Sequence, residues 1–473
     1  MNQYQLYAAL FVTAMTGTLA RCSTYSIYSS PKNYGSSYLS PTGGIALTGN
    51  SSPAQQSVAS SSAASANWAL NQRLGAAGIL NPFVGAAGES DIPIGPVVTN
   101  PDGTFVIAGR AATYADATSR LFLSRYLSNA TLDTTFGSGG TFIFSFPSDG
   151  GVSVLRCYCS DGAGGYYVGG YRGAGTQGVI AHVTSTGTVD TSFGTNGFVQ
   201  PAGTHSIVGI ATQSTGGIVY VATTVGYFSN GFVVNRLTST GTADTSFASS
   251  TASTILPYAM ALDSQNRTLI VGTDATTGTQ FYVYRVGANG GFDSTFNNGS
   301  PYNQTNSQGI CVAVMSDNSI VVGGRQISTP NLWAIFKLTS SGTLDPSFGT
   351  NGAALYSEAS QPSLSFPAGI VVLPGNQIAT AGGAYNTGTS HNWYYIMLLN
   401  ADGSLNPAFS IPGQSTPLGA GTAMLEIPAG THCLASGIGY QGSVPDKNLI
   451  VVGNGVSAGA YGIVFYTGAS AIS

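Results

Sequence analysis

The sequence predicts an all-β protein, a seven-bladed β-propeller of four-stranded antiparallel blades. Three observations predict it. The chain repeats itself at intervals of about 54 residues. Its apolar runs are short, β-branched and aromatic, and are split by glycine every few residues, which suits strands and not helices. Finally, its 473 residues include 65 Gly but only 14 Lys+Arg and 18 Asp+Glu, a composition for tightly turned sheets with few solvated charges. The same figures argue against a disordered chain or a nucleic-acid partner, since both need far more charge and no basic stripe is present.

Taken in order, residues 1–21 read as a secretory signal peptide. An apolar stretch from Leu6 to Leu19 ends in Thr18-Leu19-Ala20, although no Lys or Arg precedes it. Export follows as the expected localisation, to the cell surface or the medium. Cys22 stands where a lipidated cysteine would, but Arg21 occupies a position that such sites fill with a small residue. Residues 22–65, rich in Ser, Gly and Ala, lack periodic apolar residues and read as a polar linker. No other segment reaches the ~18 uninterrupted apolar residues of a membrane helix, so no integral span is expected.

Residues 66–467 carry the repeat, and 468–473 form a short tail. The anchors are Leu132-Asp133-Thr134-Thr135-Phe136-Gly137, Val189-Asp190-Thr191-Ser192-Phe193-Gly194, Ala243-Asp244-Thr245-Ser246-Phe247, Phe292-Asp293-Ser294-Thr295-Phe296 and Leu344-Asp345-Pro346-Ser347-Phe348-Gly349. Degenerate copies stand at Asn81 and Asn406, giving successive spacings of 52, 57, 54, 49, 52 and 61 residues. Each anchor follows a strand-like run such as Phe232–Leu237 or Trp333–Leu338. A second run lies midway between anchors, in seven copies from Thr104–Gly109 to Leu449–Gly453. Between anchor and midpoint there is room for two more strands, and four short strands per period make a propeller blade. The pre-anchor strand occurs in eight copies, counting Asn67–Leu74 and Tyr461–Phe465. One terminal strand therefore completes or caps the last blade, or there are eight blades, one incomplete.

The Asp-x-Ser/Thr-Phe-Gly motif, after a basic-aliphatic strand end and a glycine, resembles the delta-60 repeat family, bacterial β-propeller-type repeats of secreted and surface proteins. The resemblance spans about residues 66 to 467. It implies a fold and an exported location, and no catalytic residues.

Eight residues before the anchors Asp133, Asp190, Asp244, Asp293 and Asp345 stand Arg125, His182, Arg236, Arg285 and Lys337; Arg73 precedes Asn81 at the same offset, and Leu398 precedes Asn406. One reading makes this column a ring of ligands for an acidic glycan or polymer. The other, preferred here, makes each a structural pair, with Asp closing its turn and Phe136, Phe193, Phe247, Phe296 and Phe348 wedged between blades. A strand-embedded cation needs a partner when desolvated, and basic and acidic residues are lost together in the 406 copy.

Little in the sequence selects chemistry. Two Gly-x-Gly-x-x-Gly matches, at 173–178 and 437–442, open no helix after a strand. The four histidines share no register, and Cys157 and Cys159 lack the second pair of a zinc site; they read, like Cys311, as small buried hydrophobes. No catalytic residue, cofactor or metal is assigned. Aromatics outside the motif, among them Tyr114, Tyr227, Phe228, Tyr302, Tyr385, Trp393 and Tyr440, could stack on sugars, anchor a partner, or fill gaps between blades. The expected function is a non-catalytic binding scaffold for an unidentified protein or glycan. The alternatives are an extracellular polysaccharide hydrolase or lyase on a propeller, and a structural envelope component.

Overall fold

In the computed structural model, the described residues are 68–70, 79–80, 84 and 89–468, less 114–118, 148–151, 174–176, 225–230, 254, 329–330, 358–362, 387–390, 410–417, 419, 428–434, 443–446 and 458–459. The stretches expected to be a signal peptide and a linker, together with Arg73, Asn81, Tyr114, Tyr227 and Phe228, lie outside them. Six consecutive stretches each fold into a four-stranded antiparallel sheet. Blade 1 comprises Glu89–Thr99, Phe105–Thr113, Ser119–Tyr126 and Thr141–Phe144. Blade 2 comprises Ser153–Ser160, Tyr166–Arg172, Gln177–Val183 and Phe198–Val199. Blade 3 comprises Ser206–Thr212, Ile218–Thr223, Phe232–Leu237 and Ser250–Ala252. Blade 4 follows with Ile255–Leu262, Thr268–Asp274, Gln280–Val286 and Tyr302–Thr305. Blade 5 is Ser307–Val314, Ile320–Gln326, Leu332–Leu338 and Ala353–Tyr356. Blade 6 is Ser363–Val372, Ile378–Asn386, His391–Leu399 and Thr422–Ile427.

The expectation of seven four-stranded blades is corrected. Among the described residues six blades are four-stranded, and the sheet that joins blade 6 to blade 1 is of another kind, with five strands. Ala435–Gln441, Lys447–Ser457 and Ala460–Gly468 come from the C-terminal part of the chain. Against Ala460–Gly468 lie two separate N-terminal strands, Trp68–Leu70 and Ile79–Leu80. The reason is visible in the register. Leu70 is opposite Tyr466 and Ile79 opposite Val464, so nine steps along one chain answer two along the other, and one continuous outer strand is impossible. This also explains the surplus pre-anchor strand in the sequence: Trp68–Leu70 and Ala460–Gly468 sit side by side in one sheet.

The first strands of successive blades touch one another around the ring, and Ala435–Gln441 touches both Ser363–Val372 and Glu89–Thr99, so the ring closes. Each of these inner strands carries a bulge, whose extra residues include Arg156, Val208, Tyr258, Ile310, Ala368 and Ser436. A bulge bends its strand and re-aims one side chain. Tyr258, Ile310 and Ala368 pack together across three neighbouring blades. The apolar core lies between blades, one cluster per junction. Blade 3 meets blade 4 through Val234, Phe247, Ile270 and Tyr284, and blade 4 meets blade 5 through Val271, Phe296, Val322 and Phe336. Strands such as Ile320-Val321-Val322 are buried on both faces for that reason. Cys157 and Cys311 are buried within such clusters.

Candidate functional site

The repeated charges sit at one end of the molecule, where the third strand of each blade turns back into the fourth. The backbone accounts for their eight-residue offset. Asp133 N–H donates to Arg125 O, Asp190 to His182, Asp244 to Arg236, Asp293 to Arg285, Asp345 to Lys337 and Asn406 to Leu398. Residues eight apart are thus direct cross-strand neighbours, whose side chains meet on one face.

In blade 1 Arg125 Nε donates to Asp133 Oδ2 at 2.7 Å, Nη2 donates to Thr135 Oγ1 at 3.2 Å, and the guanidinium lies 4.6 Å from the centre of the Phe136 ring. Asp133 Oδ1 accepts from the Thr135 amide and hydroxyl at 3.0 and 2.6 Å. Arg236–Asp244 and Arg285–Asp293 repeat this at 2.7 and 2.8 Å, over Phe247 and Phe296. Lys337 Nζ stands 2.9 Å from Asp345 Oδ2. The aromatic anchors Phe136, Phe193, Phe247, Phe296 and Phe348 are all buried. Blade 6 has Leu398 where the others have a cation, and Asn406 keeps only the turn contact, accepting from Ala408 N–H at 3.0 Å.

The motif also grips the next blade. Arg125 Nη1 donates to Ser185 O, Arg236 Nη1 to Ala288 O and Arg285 Nη1 to Ser340 O. The amide after each phenylalanine does the same: Gly137 to Thr186 O, Gly194 to Thr240 O, Ala248 to Asn289 O, Asn297 to Ser341 O, Gly349 to Asp402 O. Gly342, at φ +88°, lies so close over Phe296 that a Cβ there would come within 2.5 Å of the ring. A glycine is therefore demanded twice, by conformation and by space.

Blade 2 departs from the pattern. His182 Nδ1 is 2.8 Å from Asp190 Oδ2, and Nε2 is 3.0 Å from Asp161 Oδ2. Tyr167 stacks on the imidazole at 4.5 Å. Burial would depress the His182 pKa, but the two carboxylates outweigh it and hold it above its ordinary value. Asp190 is held low by the Ser192 hydroxyl and then by His182; Asp161 is held low by His182 and two turn amides against the opposing effect of burial. Asp161 occupies a position that recurs as Asn100, Gln213, Asp263, Met315 and Leu373, each opening the turn between first and second strands with the same backbone bond. Gln213 Oε1 accepts from Arg236, and Arg267, bonded to Asp263, lies 3.6 Å from Asp293.

Sequence reasoning missed that facing column, and a second set of interblade contacts nearer the axis. Ser214 N–H donates to Asn266 Oδ1 at 2.9 Å, the Ser264 amide and hydroxyl to Asn318 Oδ1 at 3.0 and 2.9 Å, and those of Ser316 to Asn376 Oδ1 at 3.1 and 2.9 Å. The three asparagines all have positive φ. The signal was present in Ser264-Gln265-Asn266 and Ser316-Asp317-Asn318, spaced like the anchors. Of the aromatics considered for stacking, Tyr302, Trp393 and Tyr440 pack against interblade clusters.

The opposite ends of the strands are built differently. Arg172, the last residue of its strand, donates from Nε and Nη2 to Gln177 Oε1 at 3.1 and 2.7 Å, from Nη2 to Gln200 Oε1 at 3.4 Å and from Nη1 to Pro147 O at 2.6 Å. All these acceptors are neutral, and among the described residues no carboxylate pairs with this half-buried charge. Arg325 Nε donates to Gln308 Oε1 at 2.9 Å. Among the described residues, no group of three or more His, Cys, Asp or Glu side chains could hold a metal ion. Nor is any helix there long and apolar enough to cross a membrane.

Residues 100–136 and 316–348 match the family described as "Domain of unknown function (DUF5122) beta-propeller", and the matched stretches end on Phe136 and Phe348. No curated protein matches the chain. Among solved structures, a protein of unknown function from Dyadobacter fermentans is 11% identical with a TM-score of 0.42, over 83% of this chain and 99% of that one. Sqt1 from Chaetomium thermophilum is 12% identical, TM-score 0.43, over 83% and 100%. The polysaccharide lyase Uly1 is 8% identical, TM-score 0.41, over 81% and 90%.

Proposed function

We propose that this protein is an exported, non-catalytic binding scaffold of the delta-60 repeat type, and that it engages an acidic group of a protein or glycan partner at the end of the ring that carries Arg172. The contrast between the two ends carries the reading. At the anchor end each repeated acid is consumed by its own turn and its own cation. At the other end Arg172 is oriented by amide and carbonyl oxygens that leave one Nη1 hydrogen for an acidic group of a ligand.

A hydrolase or lyase would instead need two carboxylates converging on one cleft. Screening the full chain against acidic and neutral glycans and against acidic peptides tests the proposal. An acidic ligand is expected, with affinity reduced about tenfold or more in Arg172→Ala. A ligand bound equally well by that variant, or turnover of a polysaccharide, sinks it.

A further inference from the structure

We propose that the joint between blades 2 and 3 is proton-dependent: it stays closed while His182 carries a hydrogen on both ring nitrogens, and loosens when one is lost. The argument begins with geometry. Both nitrogens lie within hydrogen-bond distance of carboxylate oxygens, Nδ1 of Asp190 and Nε2 of Asp161. An ionised carboxylate can only accept, so the imidazole must donate twice, and only the imidazolium does so. Loss of either hydrogen sets a nitrogen lone pair against a carboxylate, inside a site whose side chains are mostly withdrawn from water.

The other clasps lack this vulnerability. Arg125, Arg236 and Arg285 carry guanidinium groups, which offer only donors, and reach across to a carbonyl of the following blade. The imidazole is shorter, and its contacts stay within blade 2. What holds blade 3 there is the turn that His182 steadies, through Gly194 N–H on Thr240 O and Phe193 beneath Gly241.

The titratable groups facing His182 are Asp161, Asp190, Tyr167 and, behind Asp161, Cys159. Tyr167 is pushed to about 12 by burial and its acidic neighbours, and burial sends the Cys159 thiol up to about 12. From blade 3, Ser206–Thr212 and the turn at 238–242 bring no charge. Near neutrality the imidazole is therefore the group that changes. Because its pKa is raised by Asp161 and Asp190, the stabilisation it gives the turn is present below the ordinary histidine value and disappears as pH rises through the raised value.

The test is a titration of the intact chain from about pH 5 to 9, the range in which histidine switches. Imidazole NMR should place His182 above the ordinary value of about 6.5. Amide exchange, corrected for intrinsic rates, should lose protection at residues 190–194 by up to about tenfold per pH unit once the imidazole titrates. Residues 133–137 and 244–248, held by arginine, should not follow. In His182→Arg the protection at 190–194 should become flat. A His182 transition at or below the ordinary value, or exchange in blade 2 tracking that of blades 1 and 3, overturns the proposal from the unmodified chain alone.

Discussion

Arg285 is almost wholly withdrawn from water, and its charge is met by Asp293, Ser340 O, the Thr295 hydroxyl and the Phe296 ring. Removing one partner of such a pair strands the other. Asp293→Asn is expected to cost about 3–5 kcal/mol in denaturant unfolding. The double change Arg285→Leu with Asp293→Asn, which copies the Leu398 and Asn406 of blade 6, should cost clearly less than the single one. Equal losses would show that charge pairing is not what the site provides. Asp133, Asp293 and Asp345 are all held below the ordinary carboxylate range by their Thr or Ser partner and their cation, against burial. Their contribution is present above that range and is lost as pH falls through the depressed values, so acid unfolding monitored by circular dichroism should begin below the ordinary carboxylate pKa.

The turn, more than the strand, makes a blade here. Asn318 combines positive φ with an acceptor oxygen for both Ser264 groups. Asn318→Gly keeps the conformation and loses the bonds, whereas Asn318→Ala loses both. Thermal unfolding should rank them wild type, Gly, Ala, the last lower by about 1–3 kcal/mol. Gly342→Ala faces the ring of Phe296 as well as the unfavourable φ, and should lose at least about 1–2 kcal/mol. If it unfolds with the wild type, the packing of that glycine is immaterial. The sequence made the anchor turns legible because Asp, Phe and Gly stand at constant offsets. It hid the Ser–Asn contacts, because serine and asparagine are common turn residues and their partners lie 52 to 60 residues away.

For the ring as a whole, the sheet that closes it is held together by Ala460–Gly468, which pairs with both N-terminal strands and with Lys447–Ser457. Each blade covers its neighbours, so an open ring exposes two apolar faces at once. Deleting residues 460–473 is expected to lower Tm sharply and to broaden the transition, with new proteolytic cleavage near blades 1 and 6 seen by mass spectrometry. A cooperative transition at unchanged temperature would mean that the blades sustain one another without closure.

The sequence alone determined the repeat, the all-β blade and the register of the charge column, because each rests on contacts between residues that are near in the chain and recur with a constant period. Tertiary structure decided what sits between periods. It determined that, among the described residues, six four-stranded blades are joined by a five-stranded sheet drawn from both ends, that blade 2 holds its histidine between two acids, and that Arg172 is oriented by neutral acceptors. Those depend on which distant segments come to lie side by side, and a local pattern carries no record of its partner.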